Sequence, residues 1–193
     1  PGSNIPMAAL GAWILWLGWF GFNGGSELKV SEVSSATAVS QVFLNTNMAA
    51  AGGVLAALFM SLFMTGKMDV TMAINGAIAG LVSITADPLS PAGGTAVIVG
   101  AIGGAIVYFS IVFLEKAGVD DPVGAISAHG TVGIYGVLVV ALTGGASFVG
   151  QLTGVVMIAA FTYLASLGTI YVINMVMPIR ASDAEQEAGL DIS

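Results

Sequence analysis

One histidine, His129, stands in a chain of 193 residues that has no cysteine. It lies in the run Ser127-Ala128-His129-Gly130-Thr131, about a third of the way along a long apolar segment. In a soluble core a lone histidine is usually a packing residue with a single hydrogen bond. Inside hydrocarbon an ionisable group is costly, and it persists chiefly where it acts on something. A neutral imidazole offers one donor and one acceptor. That pair suits hydrogen bonding to a small polar solute, or the relay of a proton. Metal binding is not expected, because there is no second histidine, no cysteine and no carboxylate within a turn of His129.

A second group of candidates is the aromatic run from Trp13 to Asn23, which holds Trp13, Trp16, Trp19, Phe20 and Phe22. Trp19 and Phe22 are three apart and share a helix face. Asn23, Gly24, Gly25 and Ser26 follow, small and polar. A face of Trp19 and Phe22 that ends in the Ser26 hydroxyl could hold a cation by cation–π attraction and a hydrogen bond. The plainer reading is an aromatic belt at a membrane interface, which Trp13 and Trp16 fit poorly, since they would sit nearer mid-membrane. Gln41, Asn45, Asn47 and Asn75 read as interhelical hydrogen-bonding groups. Asp120-Asp121-Pro122 reads as the capped start of a helix, with acid and proline in its first turn. No Ser–His–Asp set, phosphate loop or paired carboxylate is present, so an enzyme is disfavoured.

The elements that must position these residues are membrane spans. Hydrophobic residues make up 56% of the chain and charged ones only 8%, against about 25% charged in a soluble domain. Mean hydropathy is +0.96. Six apolar segments are expected, at 7–24, 37–64, 70–85, 93–114, 122–142 and 148–177, the third short for a span. Turn chemistry separates them: Gly24-Gly25-Ser26, Thr65-Gly66-Lys67, Asp87-Pro88 with Pro91, Gly118 to Pro122, and Thr143-Gly144-Gly145. The fold class is therefore an all-α membrane protein, a polytopic bundle over 1–178 with a tail at 179–193. Four GxxxG spacings recur, Gly21–Gly25, Gly76–Gly80, Gly100–Gly104 and Gly150–Gly154, and the ordinary reading of each is close helix packing.

With six spans, Lys67, Lys116 and Arg180 share one side and Lys29 faces the other. The positive-inside rule puts the three together in the cytoplasm, with both the start of the chain and the tail. The formal net charge is −7. Asp183, Glu185, Glu187 and Asp191 crowd the last residues and read as a solvated tail; nucleic acid is not an expected partner. The start, from Pro1 to Pro6, has no initiator Met and no basic leader, so the chain is expected to be part of a longer one.

At these residues the sequence resembles the ammonium transporter family (Amt, MEP and Rh proteins). The run ILWLGWFGFNGGS at 14–26 is similar to the family's sixth helix, NGAIAGLV at 75–82 to its eighth, DDPVGAISAHG at 120–130 to its tenth, and EAGLD at 187–191 to the start of its cytoplasmic tail. The resemblance implies an eleven-helix fold of two inverted halves, of which this chain matches helices six to eleven. It implies homotrimers with one pore per subunit in a cell membrane, with ammonium or ammonia as substrate and methylammonium as a further candidate. By motif position Ser26 matches the recruitment-site hydroxyl, Phe22 a gate phenylalanine, Trp19 a pore-lining tryptophan and His129 the second of two pore histidines. The first histidine, the other gate phenylalanine and the recruitment tryptophan belong to the family's first half, so the missing N-terminal half is itself an implied partner. A PII-type regulatory protein is another, at the tail. A receptor or sensor on the same fold is the alternative. No cofactor is implied.

Overall fold

The computed structural model describes residues 4–189. The ends of the motifs expected at the termini, Pro1 to Ser3 and Leu190 to Ser193 with Asp191 among them, lie outside the described residues. Among the described residues seven α-helices follow in order: α1 (Ile5–Gly25), α2 (Val33–Thr65), α3 (Val70–Thr85), α4 (Gly93–Lys116), α5 (Val132–Thr143), α6 (Phe148–Val176) and α7 (Asp183–Ala188). A π-helical turn, Ile126–Thr131, leads directly into α5.

Local chemistry sets the helix ends. Asn4 caps α1 by accepting from the Met7 amide at 2.9 Å, with Pro6 in the first turn, where a missing N–H costs nothing. Gly66, at φ 75°, closes α2 in the left-handed conformation that glycine tolerates. Asp69 caps α3, accepting from the Thr71 and Met72 amides. The Thr71 hydroxyl on the same carboxylate, together with those amides, holds Asp69 below the usual carboxylate range, outweighing the opposing effect of partial burial. α7 begins in a capping box: Ser182 receives the Glu185 amide while the Glu185 carboxylate takes the Ser182 backbone N–H.

Five helices among the described residues are long and apolar enough to cross a membrane, α1, α2, α4, the π turn with α5, and α6. α3 is apolar but has only 16 residues, about 24 Å at 1.5 Å per residue. The all-helical polytopic fold read from the sequence is the fold observed.

The chain divides into two compact units, Pro1–Leu152 and Thr153–Ser193. The second holds most of α6 and then α7. The first is built on a slab of α2, α3 and α4. Lipid gives helices no hydrophobic reason to associate, so close approach of small residues must supply the contact. On α2, Ala49, Gly53 and Ala57 are four apart and form a stripe. A Cβ placed on Gly53 would lie 2.9 Å from Gly80 N and 3.0 Å from Gly80 Cα, on α3; one on Gly104 of α4 would lie 2.9 Å from Gly53 Cα. These are backbone-to-backbone contacts. Pairing Ala49 with Gly100 and Gly53 with Gly104 makes α2 and α4 run the same way, while Ala57 against Gly76 and Ala49 against Gly80 set α3 antiparallel to them. Two of the four GxxxG spacings thus pack as expected. Among the described residues the other two meet no partner helix: at Gly21 and Gly25 a Cβ would meet nothing within 4 Å, and at Gly150 only Ser147 beside it.

Beside the slab, Ile78, Ala79 and Leu81 of α3, Val107 of α4, and Ala128 and Val132 form a buried cluster, with Trp16 and Trp19 laid over it. The polar residues of the spans behave in three ways. Asn45 donates to the Pro88 and Pro91 carbonyls in the α3–α4 loop, at 2.9 and 2.6 Å, tying α2 to that loop. Gln41 instead bonds Asn45 and Asn75 bonds the Thr71 carbonyl, each within its own helix, and Asn47 is exposed. Asn23, from the aromatic run, makes the interhelical bond, donating to Thr46 Oγ1 at 3.0 Å.

Candidate functional site

The last two turns of α1 lean on the end of α3. The Trp19 indole N–H donates to Thr85 Oγ1 at 2.8 Å, and the Thr85 hydroxyl in turn donates to the Leu81 carbonyl at 2.7 Å. The indole is thereby fixed at one edge. Its face lies along the His129 imidazole, with ring centroids 6.3 Å apart and planes within 17°. Phe22, one turn on, tilts against Trp19 at 5.6 Å.

Together these side chains line a recess of about 310 Å³. α1 contributes Trp19 and Phe22; α3 contributes Val82 and Thr85, with Ala86 just beyond; the π turn contributes His129; and α5 contributes Gly133 and Val137. All lie in the first unit. His129 and Phe22 are exposed on the open side of the recess, Phe22 at 63%.

Ser26 stands apart from this lining. It is exposed, at the end of α1 beyond Phe22, and its hydroxyl donates to the Phe22 carbonyl at 2.8 Å. The proton is used within the helix, and the oxygen is left to accept.

The segment that carries His129 differs from the expected one. Asp120-Asp121-Pro122 does not form the first turn of a helix; helical structure starts at Ile126, as a π turn. Asp121 still caps it, from outside. Its carboxylate accepts from the Ile126 amide at 3.0 Å and from the Ser127 amide and hydroxyl, each at 3.1 Å. Gly124, at φ 73°, makes this detour, in a left-handed conformation that side chains resist. Ser110 of α4 donates to the Ser127 hydroxyl at 3.1 Å and lies 2.9 Å from the Thr131 hydroxyl. Since the Ser110 proton goes to Ser127, Thr131 is the donor to Ser110. Thr131, Ser110, Ser127 and the Asp121 carboxylate thus form one directed chain that clamps the π turn to α4. Single π turns inside helices occur often at functional sites, and this one holds the histidine.

Sequence reasoning named Trp19, Phe22 and His129, which the fold brings together, and Ser26, which it leaves nearby at the helix end. It missed Thr85. Nothing in the local pattern marks that threonine.

The whole of residues 1–193 matches the family model described as the Ammonium Transporter Family. The chain belongs to the ammonium transporter family. Two archaeal members of that family, both named ammonium transporter Amt2, are each 36% identical to it: that of Archaeoglobus fulgidus and that of Methanocaldococcus jannaschii. All of the chain aligns, against 45% and 46% of those proteins. The chain thus spans a little under half the length of the curated relatives it matches. Among solved structures of the family, a sensor Amt protein superposes with a TM-score of 0.85 at 35% identity, over 98% of this chain and 49% of that one. Candida albicans Mep2 superposes with a TM-score of 0.84 at 26% identity, over 95% of this chain and 44% of that one.

Proposed function

We propose that this chain forms one wall of a pore that carries ammonium, as ammonia, across a membrane. The observation that carries the reading is the stack of Trp19 on His129 in an apolar recess, in a chain of the ammonium transporter family.

The chemistry follows from the groups present. A hydrated cation entering an apolar recess loses water at large cost. The faces of Phe22 and Trp19 return part of it by cation–π attraction. The Ser26 oxygen, whose own proton is committed to the Phe22 carbonyl, accepts an N–H of ammonium. Further in no charge compensates the ion, so loss of a proton becomes favourable and neutral ammonia proceeds. His129 takes or passes on that proton through its ring nitrogens, since neutral imidazole has both a donor and an acceptor. The open side of the recess would be closed by the further helices of a protein of its relatives' length, bearing the partner histidine, gate phenylalanine and recruitment tryptophan. The same reading includes a homotrimer in the cell membrane, a cytoplasmic tail from residue 179, passage of methylammonium, and a PII-type protein as regulator.

A second reading, an ammonium sensor that signals through the tail, is favoured by the likeness to the sensor Amt protein. The test is ammonium-induced current on a solid-supported membrane, with full-length protein in proteoliposomes. A saturable current that is lost in His129→Ala is the expected result. An unchanged current in that variant would refute the role of His129. Absence of current with saturable binding that moves the tail would favour the sensor.

A further inference from the structure

Both side-chain hydrogen-bond donors that α1 and α3 bring to the recess are already spent inside the protein, and so is that of Ser26 beyond it. The Trp19 N–H goes to Thr85, the Thr85 O–H to the Leu81 carbonyl, and the Ser26 O–H to the Phe22 carbonyl. What remains for a guest is oxygen lone pairs and aromatic faces. A hydroxyl oxygen accepts two hydrogen bonds, and that of Thr85 receives only one in the recess, from Trp19.

We propose that Thr85 is a specificity-determining residue, whose second lone pair accepts an N–H from the guest while its first holds the Trp19 indole in place. The proposal deepens the transport reading and rests on it. An acceptor-only wall discriminates by chemistry rather than size. Ammonium carries four N–H donors and no acceptor, and methylammonium three donors. Potassium, of similar size, needs a whole shell of oxygens to replace its water, and a single hydroxyl among aromatic rings does not supply one, whereas one directed N–H···O bond suits ammonium. Water asks for donors as well as acceptors and finds none on this wall. The Leu81 carbonyl is what makes the wall one-sided: it draws the Thr85 proton away from the recess and so presents the lone pairs. Thr85 is half-buried and lines the same recess as Phe22, Trp19 and His129, which puts its acceptor within reach of a guest in that recess.

Two nearly isosteric substitutions separate the hydroxyl from the bulk of the side chain. Thr85→Val keeps the shape, removes the acceptor, and turns the indole N–H of Trp19 loose as a donor toward an incoming cation. Thr85→Ser keeps the hydroxyl and loses only a methyl group. In full-length protein in proteoliposomes, Thr85→Val is expected to raise the half-saturating ammonium concentration about tenfold, the scale of one lost hydrogen bond to a charged guest, and to narrow the preference for ammonium over potassium. Thr85→Ser stays within about twofold of the wild type by the same scale. In a full-length background where every tryptophan but Trp19 is replaced by phenylalanine, the resonance Raman signature of the indole N–H shifts to the unbonded position in Thr85→Val alone. Wild-type half-saturation in Thr85→Val would overturn the inference, as would equal impairment of both variants, which would mark a packing role. A parent protein with no response to ammonium overturns the transport reading and this inference with it. The indole signal needs no transport, so that failure is told apart from a failure of Thr85 itself.

Discussion

The replacement Gly53→Ala tests the slab on which the recess is built. A methyl group at Gly53 lands against the Gly76 carbonyl oxygen, 2.9 Å from Gly80 N and 3.0 Å from Gly80 Cα, where ordinary contact begins near 3.4 Å. All three neighbours are backbone atoms and none can rotate aside. α3 must therefore retreat from α2 by something on the order of 1 Å, and overpacking of this kind costs about 1–3 kcal/mol. The same retreat displaces Val82, Thr85 and Ala86 relative to α1, and with Thr85 the anchor of Trp19. The control is Gly21→Ala, where the added Cβ meets nothing within 4 Å; the better helix propensity of alanine makes that change neutral or stabilising by up to about 1 kcal/mol. The assay is thermal unfolding of full-length protein in detergent, read beside ammonium-driven current. Gly53→Ala should unfold at a lower temperature and conduct less, and Gly21→Ala should do neither. Wild-type unfolding and current in Gly53→Ala, or equal damage from Gly21→Ala, would refute the backbone-contact account.

Two further outcomes are expected. Asp69→Ala removes the cap of α3 and should cost about 1 kcal/mol near neutral pH. Because hydrogen bonds lower the Asp69 pKa in the folded state, the cap contributes fully above the unfolded carboxyl value of about 3.9 and fades as pH falls through the lower folded value. Melts of wild type and variant should therefore converge in acid, and a gap that stays constant below both values would contradict the assignment. Ser127→Ala cuts the directed chain between Asp121 and Ser110, leaving a buried hydroxyl without its acceptor. A loss of about 1–3 kcal/mol should appear in the melting curve, and no loss would mean that the π turn is held by other contacts.

The spans were legible because apolar runs and turn residues are local. The third was read as 70–85 and is Val70–Thr85, and the first, second, fourth and sixth end within a few residues of expectation. The fifth was misread at its start. Asp121 and Pro122 look like a first helical turn, whereas Gly124 turns the chain and the helix starts at Ile126. A π turn has no hydrophobic period to reveal it; it is stabilised here by hydroxyls on another helix. Trp19 and Phe22 could be paired from their spacing, but the stack of Trp19 on His129 joins residues far apart in sequence and had no local sign. Gly76–Gly80 and Gly21–Gly25 share one motif, yet among the described residues only the first meets a partner stripe, that of Ala49 and Gly53.

The backbone-to-backbone slab has a mechanical consequence. Where two helices touch through side chains, rotamers can be exchanged and the joint can give. Between α2, α3 and α4 there are no rotamers to exchange at Gly53, Gly76, Gly80, Gly100 and Gly104, so α3, which brings Val82 and Thr85 to the recess, is held stiffly. Compliance is left to the opposite components, the aromatic rings of α1 and the hydroxyl-clamped turn that carries His129. If the recess is part of a pore, whatever yields to a guest must yield there, against an anvil of glycine.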